Sequence, residues 1–198
     1  MRRVVLATGN RHKLREIGAL LAPSGIELVA QDSLGVLPAE ETGSSFVENA
    51  LLKARHASAL SGLPAIADDS GIEVEALNGR PGVQSARFAG PGATDEDNLR
   101  KLEQALAGVP DDRRGARYVC AMVYVRTGLD PTPVICERPW MGRIARERRG
   151  SNGFGYDPVF LVPSLGLTAA QLDPERKNEL SHRGQALRAL LTALPGAY

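Results

Sequence analysis

Two adjacent carboxylates, Asp68 and Asp69, are the residues of this 198-residue chain best suited to chemistry. They follow the apolar run 64–67, which predicts a buried strand ending at the pair, and ligands of α/β sheets bind beyond the carboxyl ends of strands. Neighbouring carboxylates raise each other's pKa unless a cation or strong donors lie between them. Mg²⁺ binds one or two carboxylates together with waters and phosphate oxygens. The pair therefore indicates a magnesium site, although 68–71 also fits an Asx turn.

The second candidate is a turn at 8–10. Thr8, Gly9 and Asn10 separate the apolar run 4–7 from a helical pattern that begins at Arg11. A strand, a turn and a helix in this order direct backbone N–H groups and the positive end of the helix dipole at an anion. Lys13 adds a compact charge suited to phosphate. The segment has neither a P-loop nor a dinucleotide-binding fingerprint, and an ordinary capped helix remains the alternative.

Charged residues also surround a helix predicted to start after Ser45. Ser45 and Glu48 have the spacing of a capping box, which predicts a helix up to about residue 60. Lys53 and Asn49 are four residues apart and share a face of this helix, so Lys53 could reach a phosphate. Glu41 precedes the helix and, taken alone, is typical of a solvated acidic loop.

Two later segments are candidates for binding a base. In the glycine-rich segment 150–158, Phe154 offers an aromatic face and Asp157 a hydrogen-bond acceptor, although a hairpin turn with core aromatics is the alternative. Before the last predicted helix, Lys177 precedes His182 and Arg183, which can both donate hydrogen bonds.

Composition argues against several classes of function. With 43% hydrophobic residues, 24% charged residues and a formal net charge of +1, the chain is globular and carries no overall basic field for nucleic acid or membranes. No apolar run reaches the roughly 18 residues of a transmembrane helix. Cys120 and Cys136 lie in apolar surroundings without a Cys-x-x-Cys spacing, which indicates buried thiols in a reducing compartment. We therefore expect a soluble cytoplasmic protein.

The elements that must position these residues alternate along the first half of the chain. Apolar spacing predicts strands at 4–7, 26–30, 64–67 with a continuation over 72–77, 116–125, 133–137, 141–146 and 159–162. Helices are predicted from 11 to before Pro23 and over 46–60, 95–107 and 182–194, with a long loop over 78–92. This order predicts an α/β fold with a mixed sheet, in one domain over 1–198 that has two lobes.

Five segments together resemble the inosine/xanthosine triphosphate pyrophosphatase family, the non-canonical purine nucleoside triphosphate pyrophosphatases. They are ATGNRHKLREI (7–17), SFVENALLKARHAS (45–58), ADDSGIEVEALNGRPGVQSARFAG (67–90), GSNGFGYDPVF (150–160) and ERKNELSHRGQAL (175–187), and they span nearly the whole chain. The resemblance implies an elongated mixed β-sheet flanked by helices, with a substrate cleft between two lobes, in a Mg²⁺-dependent homodimer. It also implies hydrolysis of dITP, ITP, XTP and dXTP to the nucleoside monophosphate and pyrophosphate, which removes deaminated purines from the nucleotide pool.

The same resemblance implies roles for the matching residues. The triphosphate would be held by Thr8, Gly9, Asn10, Arg11, His12, Lys13 and Lys53. Mg²⁺ would be bound by Glu41 and Asp69, with Asp69 also the general base and Asp68 supporting it. The rest of the substrate would be contacted by Ser70, Phe154 (stacked on the base), Gly155, Tyr156, Asp157, Lys177, His182 and Arg183. Some relatives carry a Lys in the loop before Phe88, where this chain has Ser85-Ala86-Arg87, so no role is transferred to that position.

Two other interpretations stay open. A pyrophosphatase of the Maf type would share the architecture and prefer modified pyrimidine or methylated guanine nucleotides. A nucleotide-sensing module would bind without turnover and would not need both Glu41 and Asp69. Under the first resemblance, a donor at His182 or Arg183 would favour the 6-oxo group of hypoxanthine and xanthine over the amino group of adenine.

Overall fold

A computed structural model describes residues 2–194 of the chain. The strands are β1 (Arg2–Leu6), β2 (Ile26–Ala30), β3 (Ala65–Val74), β4 (Gly115–Val125), β5 (Val134–Ile144), β6 (Phe160–Val162) and β7 (Leu167–Thr168). The α-helices are α1 (Arg11–Leu21), α2 (Phe46–Ser61), α3 (Asp95–Ala105), α4 (Pro174–Leu180) and α5 (His182–Ala193). Between residues 2 and 194, no helix combines the length and apolar character needed to cross a membrane.

The seven strands form one mixed sheet in the order β2-β1-β3-β4-β5-β6-β7. β1 pairs in parallel with β2 and β3, as strands connected through helices do, whereas β6 pairs antiparallel with β5 and β7. The predicted α/β class and mixed sheet are confirmed.

The chain folds into two compact units, each with its own hydrophobic core. Of the described residues, the first unit contains 2–69, Cys120–Arg138 and 182–194, and its core joins β1, α1, α5 and part of β4. The second unit contains Ser70–Val119 and Pro139–Ser181. Its core includes Tyr118, Trp140 and Phe160, whose ring centroids lie 4.5–6.3 Å apart.

Local sequence explains where two of the helices begin. α1 begins after Asn10, whose side-chain oxygen accepts hydrogen bonds from the N–H groups of His12 and Lys13. α2 begins after Ser45 with the predicted capping box to Glu48. Both starts agree with the sequence prediction, because each depends on residues within one turn of the helix.

The prediction that a strand ends at the acidic pair is wrong. β3 continues from Ala65 through the pair to Val74, so Asp68 and Asp69 lie within a strand and form no Asx turn. Asp and Gly have low strand propensity, which explains the error. Within the strand, Lys13 and Arg183 compensate the buried charge of Asp68.

Three further predictions differ from the structure. The two strands predicted over 133–137 and 141–146 are one strand, β5: Cys136, Trp140 and Ile144 are an even number of residues apart and are all buried, which places them on one face. The loop 78–92 contains a 3-10 helix, Gly82–Arg87. β7 and α4 were not expected, because elements of two and seven residues are too short for a periodic signal.

Candidate active site

Charged side chains from several parts of the first unit meet around the acidic pair. The contributing residues are Asp68 and Asp69 from β3, Lys13 from α1, Lys53 from α2, Arg183 from α5 and Glu41 from the loop before α2. Asp68 and Asp69 are consecutive in an extended strand, so their side chains point to opposite faces of the sheet. The predicted cluster is therefore divided into two sets, each built on one carboxylate.

The first set holds Asp68 between two cations. Asp68 Oδ2 lies 2.8 Å from Lys13 Nζ and 3.4 Å from Arg183 Nε, and Arg183 also donates to Glu16. Asp68 is 1% exposed and Arg183 is 3% exposed. Burial alone would raise the pKa of Asp68, but the charges of Lys13 and Arg183 outweigh it and hold that pKa well below its ordinary value. Asp68 therefore stays ionised and is poorly suited to accept a proton.

The second set places Asp69 beside one ammonium and one further carboxylate. Lys53 Nζ lies 3.1 Å from Asp69 Oδ1 and 2.7 Å from Glu41 Oε1. Burial raises the pKa of Asp69; Lys53 lowers it, but burial together with the neighbouring charge of Glu41 outweighs Lys53, so the net shift is upward. Burial would lower the pKa of Lys53, but the surrounding carboxylates raise it, so the ammonium stays charged. Asp69 is therefore the carboxylate suited to take up a proton.

The residues around Asp69 fit a divalent cation. Two carboxylates share the single ammonium of Lys53, which leaves an excess of negative charge, and carboxylate oxygens are ligands that Mg²⁺ prefers. Nowhere in 2–194 do three His, Cys, Asp or Glu side chains form a ready metal site. Glu41 and Asp69 would therefore hold Mg²⁺ together with waters and substrate oxygens.

The N-terminus of α1 is capped by its own side chains. Asn10 Oδ1 accepts hydrogen bonds from the N–H groups of His12 at 2.8 Å and Lys13 at 3.2 Å, and Thr8 Oγ1 accepts one from Asn10 N–H at 3.1 Å. Thr8 is buried, whereas the residues 9–12 are exposed. The backbone N–H groups of His12 and Lys13 are therefore bonded as in an ordinary capped helix. The side chain of Lys13 instead contacts Asp68.

In the second unit, the glycine-rich segment closes around Asp157, a carboxylate that is 3% exposed. Asp157 Oδ2 accepts hydrogen bonds from Phe154 N–H at 2.9 Å and Lys177 Nζ at 2.7 Å, and Oδ1 accepts one from Tyr118 OH at 3.2 Å. Lys177 Nζ also lies 5.0 Å from the centroid of the Phe154 ring. The buried carboxylate of Asp157 thus fixes both the backbone of Phe154 and the ammonium of Lys177.

Two neighbours of Phe154 support this arrangement. Gly153 has a φ of 76°, and a Cβ at this position would lie 2.1 Å from Asp157 Oδ2. Tyr156 is buried, and its OH donates to the Ser85 carbonyl at 2.7 Å. Tyr156 is therefore a core aromatic residue, which was the alternative interpretation of this segment. Phe154 is only half-buried.

The remaining candidate residues lie in both units. Ser70 follows Asp69 in β3 and is half-buried. Gly155 N–H donates to Asp95 Oδ2 at 3.0 Å. His182 is the first residue of α5 and is buried.

Three residues that the sequence analysis did not select contribute directly to these sets. Glu16 accepts a hydrogen bond from Arg183, Tyr118 donates to Asp157, and Asn49 Nδ2 donates to Asp69 Oδ2 at 3.1 Å. Only Asn49 carried a signal in the sequence, namely its place one turn before Lys53. Glu16 and Tyr118 are typical of a helix surface and a strand core.

Both cysteines are buried, as predicted. Cys120, on β4, lies in the core of the first unit, and burial raises its pKa to about 12 with a smaller contribution from Asp68. Burial also raises the pKa of Cys136. Both thiols therefore stay protonated at neutral pH.

This α/β fold is shared by a class of proteins with solved structures. A HAM1 protein from Coxiella burnetii matches with a TM-score of 0.90 and 51% identity, covering 97% of this chain and 98% of its own. The Ham1 protein of Staphylococcus aureus matches with a TM-score of 0.84 and 38% identity, covering 96% and 97%. A model of the Ham1 family matches residues 4–193, so the chain belongs to the Ham1 family.

Relatives of known name match over almost the full length. A protein from Shigella flexneri named dITP/XTP pyrophosphatase is 58% identical over 194 residues, which covers 98% of each chain. The dITP/XTP pyrophosphatase of Methylococcus capsulatus is 60% identical over 193 residues, covering 98% of this chain and 96% of its own. The family resemblance predicted from the five sequence segments is thereby confirmed.

Proposed function

We propose that this protein is a nucleoside-triphosphate pyrophosphatase that hydrolyses dITP, ITP, XTP and dXTP to the nucleoside monophosphate and pyrophosphate. It would thereby keep deaminated purines out of DNA and RNA. The observation that carries the proposal is the near-full-length similarity, at 57–60% identity, to relatives named dITP/XTP pyrophosphatase. The lysines and carboxylates of the first unit supply what cleavage of a phosphoanhydride needs, which is positive charge for the leaving group and an acceptor for a proton.

Residues of the first unit would bind the triphosphate of the substrate. The proposed contacts are Thr8, Gly9, Asn10, Arg11, His12, Lys13 and Lys53. Lys13 and Lys53 offset the negative charge that grows on the departing pyrophosphate. Asp68 is a positioning residue, because it holds Lys13 Nζ at 2.8 Å and stays ionised.

Asp69 is the proposed general base. Water attacks the α-phosphorus, the bond from this phosphorus to the bridging oxygen breaks, and pyrophosphate leaves with the electron pair while Asp69 accepts a proton from the water. Burial raises the pKa of Asp69, whereas Lys13 and Arg183 keep that of Asp68 low, so the two neighbours differ in the way this step requires. Mg²⁺, held by Glu41 and Asp69 when bound, would neutralise phosphate charge and lower the pKa of the attacking water.

Phe154 and a hydrogen-bond donor would bind the base of the substrate. Phe154 would stack on the purine. The donor to an oxo group would be His182 or Arg183, as the family resemblance implies, or the ammonium of Lys177, which Asp157 fixes at 2.7 Å. A fixed donor pairs with the 6-oxo group of hypoxanthine or xanthine, whereas the amino group of adenine would leave two donors facing each other. The remaining proposed base and sugar contacts are Ser70, Gly155 and Tyr156.

The proposal also includes a homodimer in the cytoplasm, with 1–198 acting as one catalytic domain and with no nucleic-acid or membrane partner. The formal net charge of +1 supports the last point. Light scattering during size-exclusion chromatography would test the assembly, with a particle of twice the chain mass expected.

Product analysis tests the function. The protein would be incubated with dITP, XTP, dGTP or dATP and Mg²⁺, and pyrophosphate would be resolved from orthophosphate. We expect pyrophosphate from dITP and XTP, little product from the other two, and no turnover by Asp69→Asn. Orthophosphate would show that a different bond is cleaved. A preference for modified pyrimidine or methylated guanine nucleotides would favour a Maf-type enzyme, and tight binding without turnover would favour a nucleotide sensor.

A further inference from the structure

The side-chain amide of Asn49 bridges two segments that carry the proposed metal ligands. Asn49 Oδ1 accepts a hydrogen bond from Gly43 N–H at 2.8 Å, two residues after Glu41. Asn49 Nδ2 donates to Asp69 Oδ2 at 3.1 Å. Only one orientation of the amide satisfies both contacts, because the oxygen must face the N–H and the amino group must face the carboxylate. We propose that Asn49 is a positioning residue that sets the spacing between Glu41 and Asp69.

One face of α2 orients the carboxylate of Asp69. Asn49 and Lys53 are four residues apart on this helix, so they lie one above the other. Asn49 binds Oδ2 of Asp69, and Lys53 binds Oδ1. Because each oxygen has its own donor, the plane of the carboxylate is fixed and not only its position.

The same amide anchors the loop that carries Glu41. A Cβ at Gly43 would lie 2.7 Å from Asn49 Oδ1 and 2.7 Å from Glu48 Cβ, so the loop approaches α2 more closely than any residue with a side chain allows. Asn49 is 0% exposed, and a buried amide is costly unless both of its ends are bonded. An apolar residue would be enough for packing at this position, so the buried amide of Asn49 is explained by its two hydrogen bonds.

This role rests on the proposed function, since it concerns the pair that would hold Mg²⁺. Groups that orient metal ligands typically change metal affinity or activity about 10–100-fold when they are removed. We expect Asn49→Ala to weaken divalent-cation binding by about tenfold or more and to lower kcat, with the KM for dITP changed much less. Gly43→Ala should act in the same direction, because the added Cβ displaces an intact Asn49.

A matched control is available in the second unit. Asn98, on α3, is also buried and also bridges two segments, accepting from Ala89 N–H at 2.8 Å and donating to the Ala86 carbonyl at 3.1 Å. Asn98→Ala thus removes a comparable buried amide that touches no proposed ligand. Urea unfolding of all variants would show whether they remain folded under assay conditions.

The experiment measures Mn²⁺ binding by electron paramagnetic resonance, with a dITP analogue that has an imido group between the α- and β-phosphorus atoms. Weaker Mn²⁺ binding by Asn49→Ala and Gly43→Ala, with Asn98→Ala unchanged, supports the proposal. Unchanged Mn²⁺ binding by both first-unit variants, while Asp69→Asn loses Mn²⁺ and turnover, overturns the role of Asn49 and leaves the proposed function intact. If Asp69→Asn itself keeps Mn²⁺ binding and turnover, the proposed metal pair and the role of Asn49 both fail.

Discussion

Replacing Asp68 with Asn removes a charge that pairs with buried Arg183 and half-buried Lys13. Asp68 Oδ2 lies 2.8 Å from Lys13 Nζ and 3.4 Å from Arg183 Nε. Breaking a buried ion pair by removing one partner costs about 3–5 kcal/mol of unfolding free energy. Arg183 keeps Glu16 as a second carboxylate, and the Lys13 side chain is 13% exposed and can recover some solvation. We therefore expect Asp68→Asn to destabilise the protein by about 3 kcal/mol, the lower end of that range.

Asp69→Asn is the matched comparison, because it removes the same charge one residue further along the strand. Lys53 keeps Glu41 at 2.7 Å, and the cost of burying the Asp69 charge disappears together with its pairing. We expect the unfolding free energy of this variant to stay within about 1 kcal/mol of the wild type. The two Asn variants therefore separate a carboxylate that stabilises the fold from one that serves the reaction.

Urea unfolding at neutral pH measures the difference. Far-UV circular dichroism reports the whole chain, and the fluorescence of Trp140, the single tryptophan, reports the second unit. Coincident transitions would support a single free energy for each variant. Equal losses in the two variants, or a larger loss for Asp69→Asn, would refute the division of roles.

The pH dependence of the Asp68 contribution has a definite sign. The pKa of Asp68 is lower in the folded state than its ordinary value of about 3.9, so the stabilisation is complete above that value and is lost as the pH falls through the folded-state pKa. The stability gap between wild type and Asp68→Asn should be constant from about pH 7 to about pH 5 and smaller at about pH 3. A gap that widens on acidification would contradict the assignment.

Three other variants test features of the second unit, and a fourth, in the first unit, serves as a control. Tyr118→Phe removes only the hydroxyl that donates to Asp157 Oδ1, so the preference for dITP over dATP should fall severalfold in steady-state kinetics. Tyr124→Phe, at a second buried tyrosine of β4, should leave this preference unchanged. Gly153→Ala brings a Cβ to 2.1 Å from Asp157 Oδ2, so kcat/KM for dITP should fall about tenfold or more, and wild-type kinetics would argue against the role of the carboxylate. Arg148→Ala breaks exposed ion pairs with two glutamates of α3, Glu96 and Glu103; its effect on the urea midpoint should be far smaller than that of Asp68→Asn and should vanish in about 1 M salt.

Features set by neighbouring residues could be predicted from the sequence. The starts of α1, α2 and α3 follow from Asn10, Ser45 and Thr94, which cap helices within one turn of themselves. Asp68, Asp69, Lys13 and Lys53 could also be selected as candidates, because they lie in short segments that resemble a family, whereas Glu41 lies outside those segments.

Which charged side chains form ion pairs with each other could not be predicted, because the paired residues are far apart in the chain. Arg183 is 115 residues from Asp68 and 167 from Glu16, and no local pattern links them. The same ion pairs explain why the strand at Asp68 was predicted to end too early. Local propensity opposes a strand at two aspartates, and the distant cations that compensate the charge carry no signal in that segment.

The buried thiols have a consequence for chemical damage. With a pKa of about 12, Cys120 has a thiolate fraction on the order of 1 in 10⁵ at neutral pH, and thiolates are the form that oxidising and nitrosating reagents attack. Nitrosating reagents also deaminate purines, which generates the proposed substrates. A protein whose thiols are buried and protonated would keep its activity under the same nitrosating conditions that increase the amount of its proposed substrates.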